Sequence, residues 1–557
     1  MWRTSSSSTG AGYRNRRIRN KGRIGALGAL GAALAAALAG ASAAAVPAAS
    51  ASATETVIVA AAGSLSPVQA VAGVNGTILT QYHLINAVEA AIPVAAEPLL
   101  AALPGIIVTQ DAQVTVQSGA PESTGPHTPS DAFLPETGAT RLAAAGDTGQ
   151  GVTVAVMDTG VDNLPDFAGR LIGGVDLTGA GRPYQDDYGH GTFVAGLIAG
   201  NGASSAGTYS GEAPGAQLVS VKVAGASGTT DLATLILGLQ WAVDHRSQYG
   251  IRILNLSLGF RSGLSTVLNP LDQAAEAVWD AGIAVVVSAG NSGPFNGSIL
   301  SPGDDPLVIT VGALDDMATA SVADDEMNDF SAVGPTSPDG WVKPDLVTSG
   351  RSVVSLAAPG STIDAGYPSA RVGAADFVGS GTSFSAAIAS GAAALVLAAS
   401  PGLTPDQLKA RLLGTVSPGP VGNPFVDGHG ALDAYAAATA GPMNFRQSVS
   451  GLLPTLAGTT VPLTPSGPAD SWNLNLWSGI SPQQAPAGPP WNGWAWNGAD
   501  WNGFVWTGRA WNDGGWAGAS WNGRDWTGRA WNGAAWAGSA WAGTAWASVA
   551  WTSSAWN

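Results

Sequence analysis

The sequence predicts an α/β domain with a parallel sheet and helices on both faces, preceded by a small α+β unit and followed by a repeat tail. Three observations predict it. The runs 151–157 and 285–287 are apolar and rich in β-branched residues, as strands buried on both faces are. Each ends in a polar or glycine turn, Asp158-Thr159-Gly160 and Ser288-Ala289-Gly290-Asn291, and a further strand is read at 251–256. The run from Ser383 to Ser400 holds no charge for 18 residues but is dominated by Ala, Ser and Gly, which pack closely. It reads as a buried helix, not a membrane span.

At 557 residues the chain holds several units, and 45% hydrophobic content supports a large core. Residues 1–53 carry seven Lys/Arg and no acid, so the remainder carries −23 of a net −16. An acidic body repels phosphate backbones, which argues against a nucleic-acid partner. Without cysteine there are no disulfides, thiolate metal sites or cysteine nucleophile.

Residues 1–53 have the layout of a signal peptide: a basic stretch through Arg23, an apolar segment 24–38, then small-residue sites. Their 15 weakly apolar residues fall short of the roughly 20 that span a bilayer. Arg16-Arg17 leaves the export route open. Residues 54–118 contain no Lys or Arg and read as the small α+β unit, with strands at 55–60, 77–83 and 105–116. Residues 119–440 form the main domain, and 441–490 a Pro/Ser/Gly-rich linker.

From 491 to 557 a tryptophan recurs every five residues, fourteen in register from Trp491 to Trp556, with Trp494 as an extra. That period turns by about 140° per step on a helix and changes face on a strand, so a turn-based coil, stackable into a solenoid, is expected. Planar aromatics among amides and hydroxyls suit stacking on sugar rings. Cell-wall polysaccharide is one expected partner; mutual packing of the tryptophans with no ligand is the competing reading.

The chemistry-bearing residues lie in short motifs. Asp158 ends a strand, and carboxyl ends of parallel strands are where sites form. His190 sits between Gly189 and Gly191 at the start of a small-residue apolar helix. Ser383 follows Gly379-Ser380-Gly381-Thr382 at the start of the long apolar helix, where backbone N–H groups and the positive dipole end suit a nucleophile whose substrate becomes an oxyanion. Asn291 ends a strand with an amide suited to the same oxyanion. A paired-aspartate site is disfavoured, because the two Asp-Thr-Gly copies at Asp147 and Asp158 lie too close to occupy two lobes.

Together these motifs resemble the subtilisin-like serine peptidases, the subtilases, over roughly 130–440. The resemblance implies that Asp158 orients His190, that His190 is base then acid, and that Ser383 attacks, with Asn291 and the Ser383 N–H as oxyanion hole. It implies a substrate groove walled by Ser257, Leu258 and Gly259 and by Ser288, Ala289 and Gly290, with a second edge around Gly228. Extended protein or peptide chains are the implied substrates. It implies that 54–118 is a propeptide, a partner that folds and inhibits the enzyme until cut away, and that the chemistry needs no cofactor. Structural calcium is compatible but unassigned, since the 201–210 loop has no carboxylate. Ala387 stands where the family usually has proline, which predicts a slightly altered helix start. Two rivals stay open: an acid peptidase of the sedolisin kind, and a surface-binding protein in which the tail carries the main role.

Overall fold

The computed structural model describes residues 53–62, 65–116 and 130–441, and nine two-residue strand pieces between 495 and 556. The signal segment, nearly all of the linker and the rest of the tail lie outside the described residues.

The first unit comprises β1 (Thr54–Ala61), α1 (Pro67–Gly73), β2 (Thr77–Gln81), β3 (Ala87–Pro93), α2 (Glu97–Ala101) and β4 (Ile106–Gln110). Its strands pair antiparallel in the order β2-β3-β1-β4. Val57, Val59, Val88 and Ile92 point from one face of the sheet onto Val71 and Leu100 of the helices, forming a core separate from that of the main domain. α1 starts where Ser66 accepts the Gln69 N–H and Pro67 fills the first turn.

Two expected strands stop early, for a shared reason. The strand read to residue 83 ends at Gln81, because Tyr82 and His83 turn away to the main domain. The run 105–116 splits at Asp111, and its second half, β5 (Gln113–Val116), leaves the unit altogether.

The main sheet uses β6 (Thr153–Asp158), β7 (Leu171–Asp176), β8 (Gln217–Lys222), β10 (Ile251–Leu256), β12 (Ala284–Ser288), β13 (Ile309–Asp315) and β15 (Leu346–Ser349), with the short β9 (Thr229–Asp231), β11 (Leu258–Gly259) and β14 (Glu326–Met327) between them. The order is β7-β8-β6-β10-β12-β13, with β15 beside β13, and every pair is parallel except the edge β13–β14. β6 is buried along its whole length, and each fully buried valine in it contributes about 1.5–3 kcal/mol.

Helices α3 (His190–Ala199) and α6 (Thr382–Ala399) pack together on the sheet, while α4 (Leu232–Asp244) and α5 (Pro270–Asp280) form the other pair. α6 is apolar and long enough to cross a membrane, yet sixteen of its residues, Thr382 to Leu397, are buried within the domain. It runs unbroken through the fully buried Ala387, so the missing proline leaves no interruption.

In the tail, the described strand pieces pair in parallel, tryptophan opposite tryptophan. Trp496 pairs with Trp511 and Trp501 with Trp516, three pentads on; Trp516 pairs with Trp536 and Trp536 with Trp556, four pentads on.

Candidate active site

The carboxyl ends of β6, β10 and β12 place Asp158, Ser257 and Ser288 along one edge of the sheet. Asp158 is fully buried, and both its oxygens lie 2.9 Å from His190 Nδ1. Its Oδ1 also accepts the Thr159 N–H at 2.8 Å. This contact requires α3 to start almost on top of the strand end. Gly191 permits it: a Cβ there would lie 2.1 Å from the Gly160 carbonyl oxygen and 3.1 Å from Asp158 Cβ.

A residue missed in the sequence holds this arrangement together. Asp186 is buried, and its carboxylate accepts the N–H groups of Gly189 (2.7 Å) and Thr192 (2.8 Å) at the start of α3. It also accepts the Thr159 hydroxyl at 2.7 Å, and that hydroxyl accepts the Gly191 N–H at 2.9 Å. One carboxylate therefore ties the helix bearing His190 to the residue after Asp158. Burial pushes its acid above the usual carboxylate range, opposed by these hydrogen bonds and reinforced by the Asp158 charge. The available signal was an aspartate three residues before the Gly189 that begins the helix, the spacing of a carboxylate reaching helix N–H groups.

Ser383 is fully buried in the first turn of α6. Its hydroxyl donates to the Ser257 carbonyl at 3.4 Å, and the Ser257 hydroxyl donates to the Ser383 carbonyl at 3.2 Å. His190 Nε2 is buried and has no hydrogen-bond partner among the described residues, so the base is present with its second nitrogen unengaged. The His190 ring lies 5.6 Å from that of Phe384, centroid to centroid. Nucleophile–base hydrogen bonds in such sites commonly form fully only in a substrate complex.

Asn291 Oδ1 accepts both the N–H and the hydroxyl of Thr382 at 2.9 Å, and Thr382 Oγ1 accepts the Gly290 N–H at 3.1 Å. Because a backbone N–H can only donate, the amide oxygen must face Thr382, and Nδ2 is turned the other way. Thr382 is a second residue that sequence reading passed over.

A strand lies between two of the segments read as groove edges. β5 pairs antiparallel with β11, Val116 opposite Leu258 and Thr115 opposite Gly259. On its other side it pairs with β9, Gln113 opposite Asp231, Val114 opposite Thr230 and Thr115 opposite Thr229. Gly228, at φ +68°, forms the turn into β9. Val114 is fully buried within the main domain's core. Ala289 is buried too, and Gly290 takes φ +111°.

The first unit also docks on α4. The Tyr82 hydroxyl donates to the Ala233 carbonyl, and Gln240 Oε1 accepts the N–H groups of His83 and Leu84. His83 Nε2 meets Asp244 at 2.9 Å, and Asp111 accepts the Ala233 N–H at the start of α4. Burial raises the Asp111 acid to about 6, with Asp231 and Glu89 adding to the shift. Of the other histidines, His245 stacks on Trp241 and His429 is half-buried beside Asp345.

In and around the 201–210 loop the polar groups bond to one another. The buried Asp166 carboxylate accepts the N–H and hydroxyl of Ser204, and the Arg170 guanidinium donates to the carbonyls of Ala199, Ala216 and Asp166. The Asp176 carboxylate is engaged by Thr178 and Arg182 in its own turn. Among the described residues no group of three or more His, Asp or Glu is arranged to hold a metal.

A covered parallel sheet with an Asp–His pair at a strand end and a serine in the first turn of a buried helix defines an α/β protein with a candidate hydrolase site. Residues 149–436 match the model of the subtilase family, and the chain belongs to that family. It is 44% identical over 293 residues to the serine protease AprX of Bacillus subtilis (strain 168), covering 52% of this chain and 66% of AprX. It is 34% identical over 292 residues to subtilisin Savinase of Lederbergia lenta, covering 92% of that protein. Fervidolysin from Fervidobacterium pennivorans, a keratinolytic enzyme related to subtilisin, superposes with a TM-score of 0.56 over 71% of this chain and 62% of its own. At 23% identity that likeness concerns the fold alone.

Proposed function

We propose that this protein is a secreted serine endopeptidase made as a self-processed zymogen. The observation that carries the reading is β5, an extended segment hydrogen-bonded between β11 and β9, as a substrate strand would be. His190 Nε2 takes the Ser383 proton as Oγ attacks the scissile carbonyl. The imidazolium is held and stabilised by Asp158 at Nδ1, and the oxyanion is received by Asn291 Nδ2 and the Ser383 N–H. His190 then protonates the leaving amine, and water repeats the sequence on the acyl-enzyme. No cofactor enters these steps.

Residues 54–118 act as propeptide, with the first cut falling within a few residues after Val116; residues 1–53 direct export. An imidazole base must be unprotonated, so a neutral-to-alkaline optimum is expected, against the strongly acid optimum of a sedolisin. The test is expression of residues 54–557 beside its Ser383→Ala copy, followed by intact mass, N-terminal sequencing and casein hydrolysis. Only the active copy should lose about 60–75 residues and digest casein in a manner blocked by a serine-directed reagent. If both copies stay full length and inactive across pH, the proposal fails.

The tail supports an accessory role as a polysaccharide anchor. Its described strand pieces pair with tryptophan opposite tryptophan, and from residue 441 onward four Arg balance four Asp, which leaves planar aromatics as the contact the sequence offers a sugar. The isolated tail should be retained on washed cell walls. Retention no greater than that of a Trp-poor control would remove the sugar role.

A further inference from the structure

We propose that Leu300 closes the primary side-chain pocket, so that the enzyme cleaves after small or short unbranched residues and rejects aromatic ones. This deepens the peptidase reading above and rests on it. The side chain that precedes the cleaved bond enters between the walls 257–259 and 288–290. In this chain that space is already filled. A Cβ on Gly290 would lie 2.8 Å from Leu300 Cγ and 3.0 Å from its Cδ1, while a Cβ on Gly259 would lie 3.0 Å from Leu300 Cβ and 3.5 Å from Cδ1. One leucine therefore touches both walls at the two glycines that leave room between them. It is only 6% exposed.

The leucine is also held in place. Its N–H donates to the Ala289 carbonyl of one wall at 3.1 Å, and the next residue, Ser301, exchanges backbone hydrogen bonds with Phe260 beyond the other. The Ser301 hydroxyl donates to Asp272 at 2.7 Å and accepts Asn269 Nδ2 at 2.7 Å, anchoring the loop to the start of α5. Swinging Leu300 out would break this stitching, so the short pocket belongs to the fold. Pocket depth sets which residue is accepted: an apolar slot admits aromatic rings and a filled one does not. The chain's own sequence beyond Val116 runs Gln117-Ser118-Gly119-Ala120, with no aromatic residue before Phe133.

The test uses the processed enzyme and its Leu300→Gly and Leu300→Ala variants on chromogenic peptides differing only in the residue before the cleaved bond. A fluorophosphonate probe counts active serines in each preparation. The wild type should favour Ala, Ser or Gln over Phe and Tyr by at least about tenfold in kcat/KM. Leu300→Gly should raise the Phe-to-Ala ratio by about 100-fold, and Leu300→Ala by an intermediate amount. Wild-type cleavage after Phe as fast as after Ala would overturn the proposal. So would variants that react fully with the probe, melt normally and keep the wild-type preference. If the wild type neither takes the probe nor cleaves any peptide, the peptidase reading itself falls, and this proposal with it.

Discussion

Two buried helix starts face each other across the site, and they are finished differently. At α3 an acid side chain, Asp186, accepts the Gly189 and Thr192 N–H groups. At α6 the Thr382 N–H is accepted by Asn291, a neutral amide. Both ends present the positive pole of a helix. Capping it with a carboxyl group at α3 fixes His190 against Asp158. Leaving it without a carboxyl group at α6 keeps its field for the negative charge that forms on a substrate oxygen. The same electrostatic feature serves structure in one helix and chemistry in the other, and one residue at each helix start decides which.

The largest expected effect removes the α6 nucleophile. Ser383→Ala should lower kcat by about a millionfold, the scale known for the relative subtilisin, with unchanged melting, measured by active-site-titrated peptide hydrolysis. Asn291→Ala should cost roughly 100- to 1000-fold in kcat with little change in KM, again the scale of the matching donor in subtilisin. Asn291→Asp puts a carboxylate at the α6 start, as Asp186 does at α3, and should be slower still. Equal rates for the Ala and Asp variants would break the comparison.

At α3, Asp186→Asn keeps the shape but removes one acceptor from a site of four donors, the N–H groups of Tyr188, Gly189 and Thr192 and the Thr159 hydroxyl. We expect kcat to fall about tenfold, with KM within twofold and a lower melting temperature, since a buried hydrogen bond to a charged group contributes about 1.5–3 kcal/mol. Loss of stability with kcat intact would make Asp186 a support of the fold only.

The smallest expected effect on rate lies where the two helices pack. The Glu212 N–H donates to Leu197 of α3, and its side chain runs against Gly391 of α6, where a Cβ would lie 2.5 Å from Glu212 Cβ. Burial raises this acid from 4.5 to about 8, opposed by the Thr137 hydroxyl. The fold therefore favours the protonated form. Its stabilising contribution is complete below about pH 4.5 and is lost as the pH rises through about 8. Glu212→Gln should match the wild type in melting at pH 5 and exceed it by a few degrees at pH 9, with kcat unaffected. An equal pH slope in both proteins would show that Glu212 is not the titrating group.

Much of the site was legible because its residues sit in motifs that are local in sequence. Glycine-flanked His190, strand-ending Asp158 and Asn291, and helix-starting Ser383 each carry their own context. Asp186, Thr382 and Leu300 were not legible. Their importance comes from partners brought close by folding: Thr159 for Asp186, Asn291 for Thr382, and the two glycine-lined walls for Leu300. The early ends of two strands have the same origin. Tyr82, His83 and Asp111 look like strand residues by pattern, but their hydrogen bonds go to α4, a unit away. Periodicity cannot report a partner that is distant along the chain.

By itself the sequence determined the buried parallel strands, the apolar helices, the four motif residues of the site and the five-residue period of the tail. These follow from short-range rules of burial, turn geometry and repeat length. Tertiary structure alone decided that β5 leaves its own unit to lie between β11 and β9, that the Arg170 guanidinium donates to the carbonyls of Ala199 and Ala216, and that Leu300 stands between the groove walls. The physical reason is that each depends on which groups meet in space, and those meetings are set by the packing of the whole domain.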